Sequence, residues 1–435
     1  MKTLAILALL VSNLSAGPLQ VRLKDFEDPP LGWRLWSHRA ATAPRVFVDS
    51  TVSHSGRASL AVSGNGNALA HGGWEHDLGP IAPGKWYRLS VSYRWQGVMH
   101  PVWQIVARID WRDSQNKRVA PPDYLYQQRP EGDWMRTWIE AAAPERASVA
   151  TVQLFLSHAP HGVVWWDDVR FEEIPPPGPR HVRIAAVHFR PQHSPGPQAN
   201  VEAFIERFQN EVHGPTDIIL FPEGMTVVGT GRSYVEVAES VPGPTTERLA
   251  KLAKARNSYI VAGLYEAEGT AVYNTAVLLD RQGRLAGKYR KVYLPREEYE
   301  AGLTPGNQFP VFDADFGRLG LMICYDVFFS DPAKALAMQG AEMILLPIWG
   351  GDEVLARARA IENRVFLVTS GYDHPTYIMD PDGERLSVAS GQGRVAVATV
   401  DLSKRYSHPH LGDMRARRRK EQRTDVLIPP PSGQR

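Results

Sequence analysis

Apolar and polar positions alternate along this chain with a period that changes once. Between residues 45 and 174, the runs "RVFVDS", "ASLAVSG", "WYRLSVSYRW", "WQIVARIDW", "VATVQLFLS" and "GVVWWDDVRFEEI" are short and strand-like. Gly, Pro, Asn and Asp separate them. A period near two sends one side of each run into a core, so the pattern predicts antiparallel strands packed as an all-β sandwich over residues 18–174. After residue 181 the period lengthens. "VRIAAVHF" reads as a buried strand, "NVEAFIERFQNEV" as an amphipathic helix and "DIILFPEG" as a second strand. "TTERLAKLAKARNS" and "YIVAGLYE" repeat the helix and strand, and "YNTAVLLD" with "LAGKYRKVYL" forms a hairpin-like pair. "GLMICYD", "AEMILLPI" and "VFLVTSG" read as further strands, with helices at "DPAKALAMQG" and "EVLARARAIENR". Strands alternating with helices predict an α/β domain over residues 181–404.

Between the two patterns, "EEIPPPGPRHVRIAAV" sets four prolines and a glycine at 175–180, a stiff connector that neither helix nor strand absorbs. The chain opens with Lys2, an apolar run Leu4–Val11 and small residues at Ser15-Ala16-Gly17. That order is the one a secretory signal needs, so residues 1–16 are expected to direct export to the periplasm or beyond. No other stretch approaches a membrane span. Residues 405–435 are polar and basic and are expected to form an extended arm; "RARRRK" at Arg415–Lys420 suits a solvated helical face or a grip on another subunit. A net charge of +2 over 435 residues does not argue for a nucleic-acid partner.

Eleven of the twelve tryptophans lie between Trp33 and Trp166. The Trp-Asp-Asp run in the last sandwich strand resembles the closing strand of jelly-roll, carbohydrate-binding-like modules. The tryptophans there either fill the core between two sheets or offer rings on which a glycan can stack.

Three strand ends of the α/β half carry reactive side chains, where an open sheet leaves room for a site. "ILFPEG" ends at Glu223, "GKYRKVYLP" carries Lys291, and "LMICYD" holds Cys324, the one cysteine of the chain. Taken singly, each has a bland reading as a cap, a surface charge or a small core residue. Together they form a usable set. A thiol with an ordinary pKa of about 8.5 needs a base or a cation before it attacks. Glu223 can take and return that proton, and Lys291 can stabilise a developing oxyanion beside a backbone N–H, for which Tyr325 is the candidate.

These stretches, with "GAEMILLP" and "RAIENRVFLV", resemble the carbon–nitrogen hydrolase (nitrilase) superfamily over roughly residues 180–404. The resemblance implies a four-layer α-β-β-α sandwich, usually paired as a homodimer or higher oligomer, and a catalytic Glu, Lys and Cys at Glu223, Lys291 and Cys324. It implies a second Glu that orients the lysine, for which "REEYEAGLTPG" offers Glu298, with Glu300 as the alternative. It also brings Glu362 and Asn363 close to the site, although a helix-end ion pair explains them as well. Cys324-Tyr325-Asp326 is similar to amidase-like and carbamoylase-like branches, whereas nitrile-cleaving members commonly read Cys-Trp-Glu. The expected substrate is therefore a small amide or carbamoyl compound. Several of those branches continue with an arginine that can hold a carboxylate; here Phe328 and Phe329 follow, which suits a neutral or apolar acyl group. No metal-ligand spacing and no phosphate-binding glycine loop appear, so neither metal nor cofactor is expected.

Overall fold

A computed structural model describes residues 19–23, 26, 30–423 and 425–426. The apolar run Leu4–Val11 with Ser15-Ala16-Gly17, and residues 427–435 of the arm, lie outside the described residues. Two compact units are present, Met1–Pro176 with Ser407–Arg435, and Pro177–Tyr406.

The first unit contains β1 (Gln20–Leu23), β2 (Arg34–Ser37), β3 (Arg45–Asp49), β4 (Ser59–Ser63), β5 (His71–Leu78) and β6 (Trp86–Gln96). A short helix α1 (Pro101–Gln104) precedes β7 (Ile105–Arg112), β8 (Asp123–Tyr124) and β9 (Gln127–Glu131). β10 (Trp134–Ala142), β11 (Val149–Ser157) and β12 (Val163–Ile174) complete it. One sheet runs β3-β4-β12-β6-β10-β9 with β1 added on β12, the other β2-β5-β11-β7-β8, and every pairing is antiparallel. Alternation builds the core: Leu89, Val91, Val164 and Trp166 of one sheet meet Ile109, Trp111, Val152 and Leu154 of the other. Trp33, Trp74, Trp111, Trp134, Trp165 and Trp166 are buried, whereas Trp36 and Trp103 remain partly open.

The second unit begins with β13 (His181–His188), α2 (Pro197–Glu211), β14 (Ile218–Leu220), α3 (Pro244–Arg256) and β15 (Tyr259–Glu268). β16 (Ala271–Leu279), β17 (Leu285–Arg290), α4 (Arg296–Glu300), β18 (Val311–Ala314) and β19 (Gly317–Leu321) follow. Then come α5 (Asp331–Met338), β20 (Met343–Pro347), α6 (Glu353–Asn363), β21 (Phe366–Ser370), β22 (Tyr377–Met379), β23 (Arg385–Val388) and β24 (Arg394–Asp401). They form two mixed six-stranded sheets, β17-β16-β15-β14-β13-β24 and β18-β19-β20-β21-β22-β23.

The central strands are covered on both faces, which is why they read as unbroken apolar runs. Ile184, Ile218 and Val261 face Leu319, Leu321, Met343 and Leu345 of the other sheet. Their neighbours Ala185, Ile219 and Ile260 point the opposite way, against Phe204, Phe208 and Leu249 of α2 and α3. On the far side, Ala333 and Leu336 of α5 and Ala356 and Ala360 of α6 cover Ile344, Leu346 and Leu367. The layers are therefore helix, sheet, sheet, helix.

The basic segment is not extended. It folds into a small hairpin, β25 (Ser407–His408) with β26 (Gly412–Asp413), and a helix α7 (Met414–Glu421). The Asp413 carboxylate caps that helix by accepting from the N–H groups of Arg415 and Ala416.

Candidate active site

Each reactive side chain sits just past the end of a strand of the second unit. Glu223 follows β14, in a loop tied to β15 by the Phe221 and Met225 N–H groups, which donate to Val261 and Gly263 carbonyls at 2.8 and 2.9 Å. Gly263 makes this approach possible. A Cβ there would lie 2.6 Å from Glu223 Cα and 2.9 Å from the Pro222 carbonyl oxygen. Lys291 follows β17, and its backbone joins Asn274 of β16 and Gly306 through hydrogen bonds of 2.9 and 2.8 Å.

"GLMICYD" does not continue as a strand to Asp326. β19 ends at Leu321, and Cys324 opens a tight 3-10 turn over Cys324–Phe328. Its φ of 43° lies in the left-handed region, which costs a non-glycine residue on the order of 1–3 kcal/mol unless its surroundings hold it there. Asp326 does much of that holding. Its Oδ2 accepts from the Ile323 N–H and the Tyr289 hydroxyl, both at 2.8 Å, and its Oδ1 from the Tyr293 N–H at 3.1 Å. Burial pushes the Asp326 carboxyl up to about 6, against the pull of these donors and of Lys291. Arg359 of α6 adds a bond from its Nε to the Val327 carbonyl at 3.1 Å.

Around the thiol the charges form one buried cluster. Lys291 Nζ donates to Glu298 Oε1 at 2.8 Å and to Glu223 Oε1 at 3.1 Å. Asn274 Nδ2 donates to the same two oxygens, at 2.7 Å for Glu223 and 3.3 Å for Glu298. Both carboxylates are thus held by one oxygen each. Their second oxygens, Oε2 of Glu223 and Oε2 of Glu298, have no hydrogen-bond partner among the described residues. The Tyr372 hydroxyl fixes the base from behind, donating to the Glu223 carbonyl at 2.9 Å.

Electrostatics set the resting protonation. Burial would lower the Lys291 pKa, but the negative charges of Glu223 and Glu298, joined by that of Cys324 whenever the thiolate forms, outweigh it, so the ammonium is held well above its ordinary range. Burial, reinforced by the Glu223 charge, pushes the Cys324 thiol up to about 12, against the pull of Lys291 and the backbone of Trp349 and Gly350. The thiol is therefore neutral at rest and donates to the Gly350 carbonyl at 3.3 Å. Burial and Glu223 also raise the Glu298 carboxyl, with Lys291 opposing.

Glu223, Lys291, Cys324 and Glu298 come together in this cluster, whereas Glu297 and Glu300 are exposed on α4. Backbone groups of Trp349 and Gly350 are among those turned on the sulfur. The Tyr325 ring lies 5.2 Å from Phe328 and 5.5 Å from Phe329, and Phe329 stacks on Tyr293 at 3.9 Å. Phe328 is 43% exposed, so it is not a core residue. Glu362 accepts from Arg359 at 2.9 Å and Asn363 donates to the Arg359 carbonyl at 3.0 Å, which makes them supports of the helix end. Among the described residues no group of three or more His, Cys, Asp or Glu side chains could hold a metal ion.

Sequence reasoning did not single out Asn274, Gly263, Trp349 or Gly350. Asn274 carried one signal: it is a polar residue on the inward side of an otherwise apolar strand, "YNTAVLLD". The others had none, because their contributions are a missing side chain or a backbone group.

The family described as carbon–nitrogen hydrolase matches residues 183–409. A nitrilase of Pyrococcus abyssi is 33% identical over 243 residues, which is 51% of this chain and 90% of that protein. The human omega-amidase NIT2 is 29% identical over 214 residues, 43% of this chain and 77% of that protein. Among solved structures, an amidase from Nesterenkonia sp. is 26% identical, with coverage of 53% of this chain and 95% of that one and a TM-score of 0.45.

Proposed function

Because the chain belongs to the carbon–nitrogen hydrolase family, and is a hydrolase of carbon–nitrogen bonds, we propose that it cleaves an amide or carbamoyl bond through a thioester on Cys324. The observation that chiefly supports this reading is the buried meeting of Glu223, Lys291 and Cys324, with Glu223 Oε2 left unpaired. A neutral thiol needs a base, and an unpaired carboxylate oxygen is one.

In the first half-reaction Glu223 takes the thiol proton as the sulfur attacks the carbonyl carbon. The oxyanion is stabilised by the Lys291 ammonium and a backbone N–H. As the tetrahedral intermediate collapses, the carbon–nitrogen bond breaks and Glu223 returns its proton to the leaving ammonia or amine. In the second half, Glu223 takes a proton from water, the hydroxide displaces the sulfur from the thioester, and the thiol regains the proton. The products are a carboxylic (or carbamic) acid and an amine. Glu298 and Asn274 act as positioning residues that keep Lys291 and Glu223 aligned.

For the acyl group, the rings of Tyr325, Phe328 and Phe329 on the nucleophile's own turn, with Tyr293 stacked on Phe329, favour a neutral, apolar group over a carboxylate. Purified protein is to be incubated with phenylacetamide, propionamide, a dicarboxylic monoamide, a carbamoyl amino acid and phenylacetonitrile, following ammonia release and the mass of Cys324. The expected outcome is ammonia from the neutral amides above all, a transient acyl adduct, and loss of both in Cys324→Ala. Equal behaviour of wild type and Cys324→Ala on every compound would refute the catalytic reading. Ammonia from the nitrile alone would move the substrate class to nitriles, the activity named for the Pyrococcus relative.

A further inference from the structure

The outer side of the β2-β5-β11-β7-β8 sheet is built unlike a solvated strand face. Arg34, Glu75, Gln153, Arg108 and Tyr124 stand directly opposite one another across all five strands. They are joined in a row. Arg34 Nε donates to Glu75 Oε1 at 2.9 Å and Gln153 Nε2 to Glu75 Oε2 at 3.0 Å. Arg108 donates from Nε to Gln153 Oε1 at 2.7 Å and from Nη1 to the Tyr124 hydroxyl at 3.2 Å. In the next row Gly73 stands between Trp36 and Phe155. With no side chain between them the two rings stack, 4.9 Å apart and 13° from parallel. The gap is obligatory, because a Cβ on Gly73 would lie 2.2 Å from the Leu154 carbonyl oxygen. The result is an aromatic floor edged by oriented donors and acceptors, a surface suited to flat or planar groups.

The C-terminal helix lies on this floor. Ala416 is buried against Val106, Tyr124 and Phe155, and its small side chain lets the helix backbone come close. Three arginines of the same segment are set over rings: Arg417 over Tyr124 at 5.6 Å, Arg419 over Tyr126 at 5.2 Å and Arg423 over Trp103 at 4.3 Å. A guanidinium is planar and weakly hydrated, so it lies flat on a ring more readily than an ammonium does. The Asp413 cap and an Arg417–Glu421 ion pair of 2.9 Å support the helix itself.

We propose that this face is a docking surface for an arginine-rich helix and that the chain's own residues 412–423 are its occupant. While docked, the segment closes the floor to any ring-shaped ligand, a sugar included. The basic run is then a tether that reads aromatic rings of its own chain, and the open sandwich tryptophans are its seat.

The test combines Arg417→Ala, Arg419→Ala and Arg423→Ala in the full chain. Each contact of this kind is worth roughly two- to fivefold in an equilibrium at an exposed site, so the docking equilibrium is expected to move by about 10- to 100-fold. Hydrogen exchange at residues 414–421 should accelerate by that factor while β7 and β11 keep their protection. The opened variant should bind a synthetic peptide of residues 412–423 in calorimetry, and wild type should not. If the triple variant folds poorly, Ala416→Glu serves instead, since it drives a charge against Val106 and Phe155. Equal exchange of the helix in wild type and variant would overturn the proposal. So would wild-type protein that takes up the peptide as readily as the variant.

Discussion

At Cys324 the protein accepts a backbone conformation that favours glycine and a thiol pushed up to about 12. The raised thiol keeps the sulfur protonated until a substrate is bound and Glu223 takes its proton. Burial and Glu223 raise the thiol, while Lys291 lowers it. Replacing Glu223 with Gln removes a negative neighbour and the base at once, and the two effects have opposite signs. The thiol should ionise at lower pH in Glu223→Gln, seen as a lower midpoint for iodoacetamide alkylation. Amide hydrolysis should nevertheless fall by about 10²- to 10⁴-fold, the worth of a positioned proton carrier. An unchanged alkylation midpoint would mean that the carboxylate does not face the sulfur. Asn274 is the second residue to examine, since it holds the same oxygens as Lys291. Asn274→Ala should lower kcat and shift the acidic limb of the rate profile, whereas a purely structural role would leave that limb in place.

At the scale of elements, the site depends on how closely neighbouring strands and loops approach. Gly263 of β15 is the clearest case. Gly263→Ala adds one methyl group 2.6 Å from Glu223 Cα and must displace the loop that carries the base. A displacement of this kind is enough to misalign a catalytic group, so kcat should fall by about 10²-fold with Cys324 chemically intact. Mass spectrometry of the alkylated protein checks the latter. Arg359 of α6 secures the nucleophile turn from the opposite side. Arg359→Ala leaves the buried Val327 carbonyl without this donor, and should cost about 1–3 kcal/mol, read as a lowered Tm. The C-terminal helix shows what strand-and-helix patterning misses. "RARRRK" has no apolar stripe, so nothing in its periodicity marks a buried side, yet Ala416 is buried and the arginines cover rings.

On the scale of the whole molecule, 435 residues carry a single cysteine, so one equivalent of a reversible thiol reagent should abolish all hydrolysis and a reductant should restore it. Residual activity at full modification would place the chemistry elsewhere. Much of this is legible in the sequence. Period-two runs marked the strands of the first unit, and the apolar runs of the second marked its central sheet. Glu223, Lys291 and Cys324 each followed such a run. These features follow from local side-chain chemistry and from burial of one or both faces, which periodicity records directly. What the tertiary structure alone decided is different in kind. It set Glu298 and not Glu300 against Lys291, brought Asn274 onto both carboxylates, and turned Trp349 and Gly350 toward the sulfur. It also seated a basic helix on an aromatic face some 260 or more residues earlier in the chain, as in Arg417 over Tyr124. Such contacts join residues far apart in sequence through backbone groups, missing side chains and stacked rings, and no local pattern encodes which distant partner each will meet.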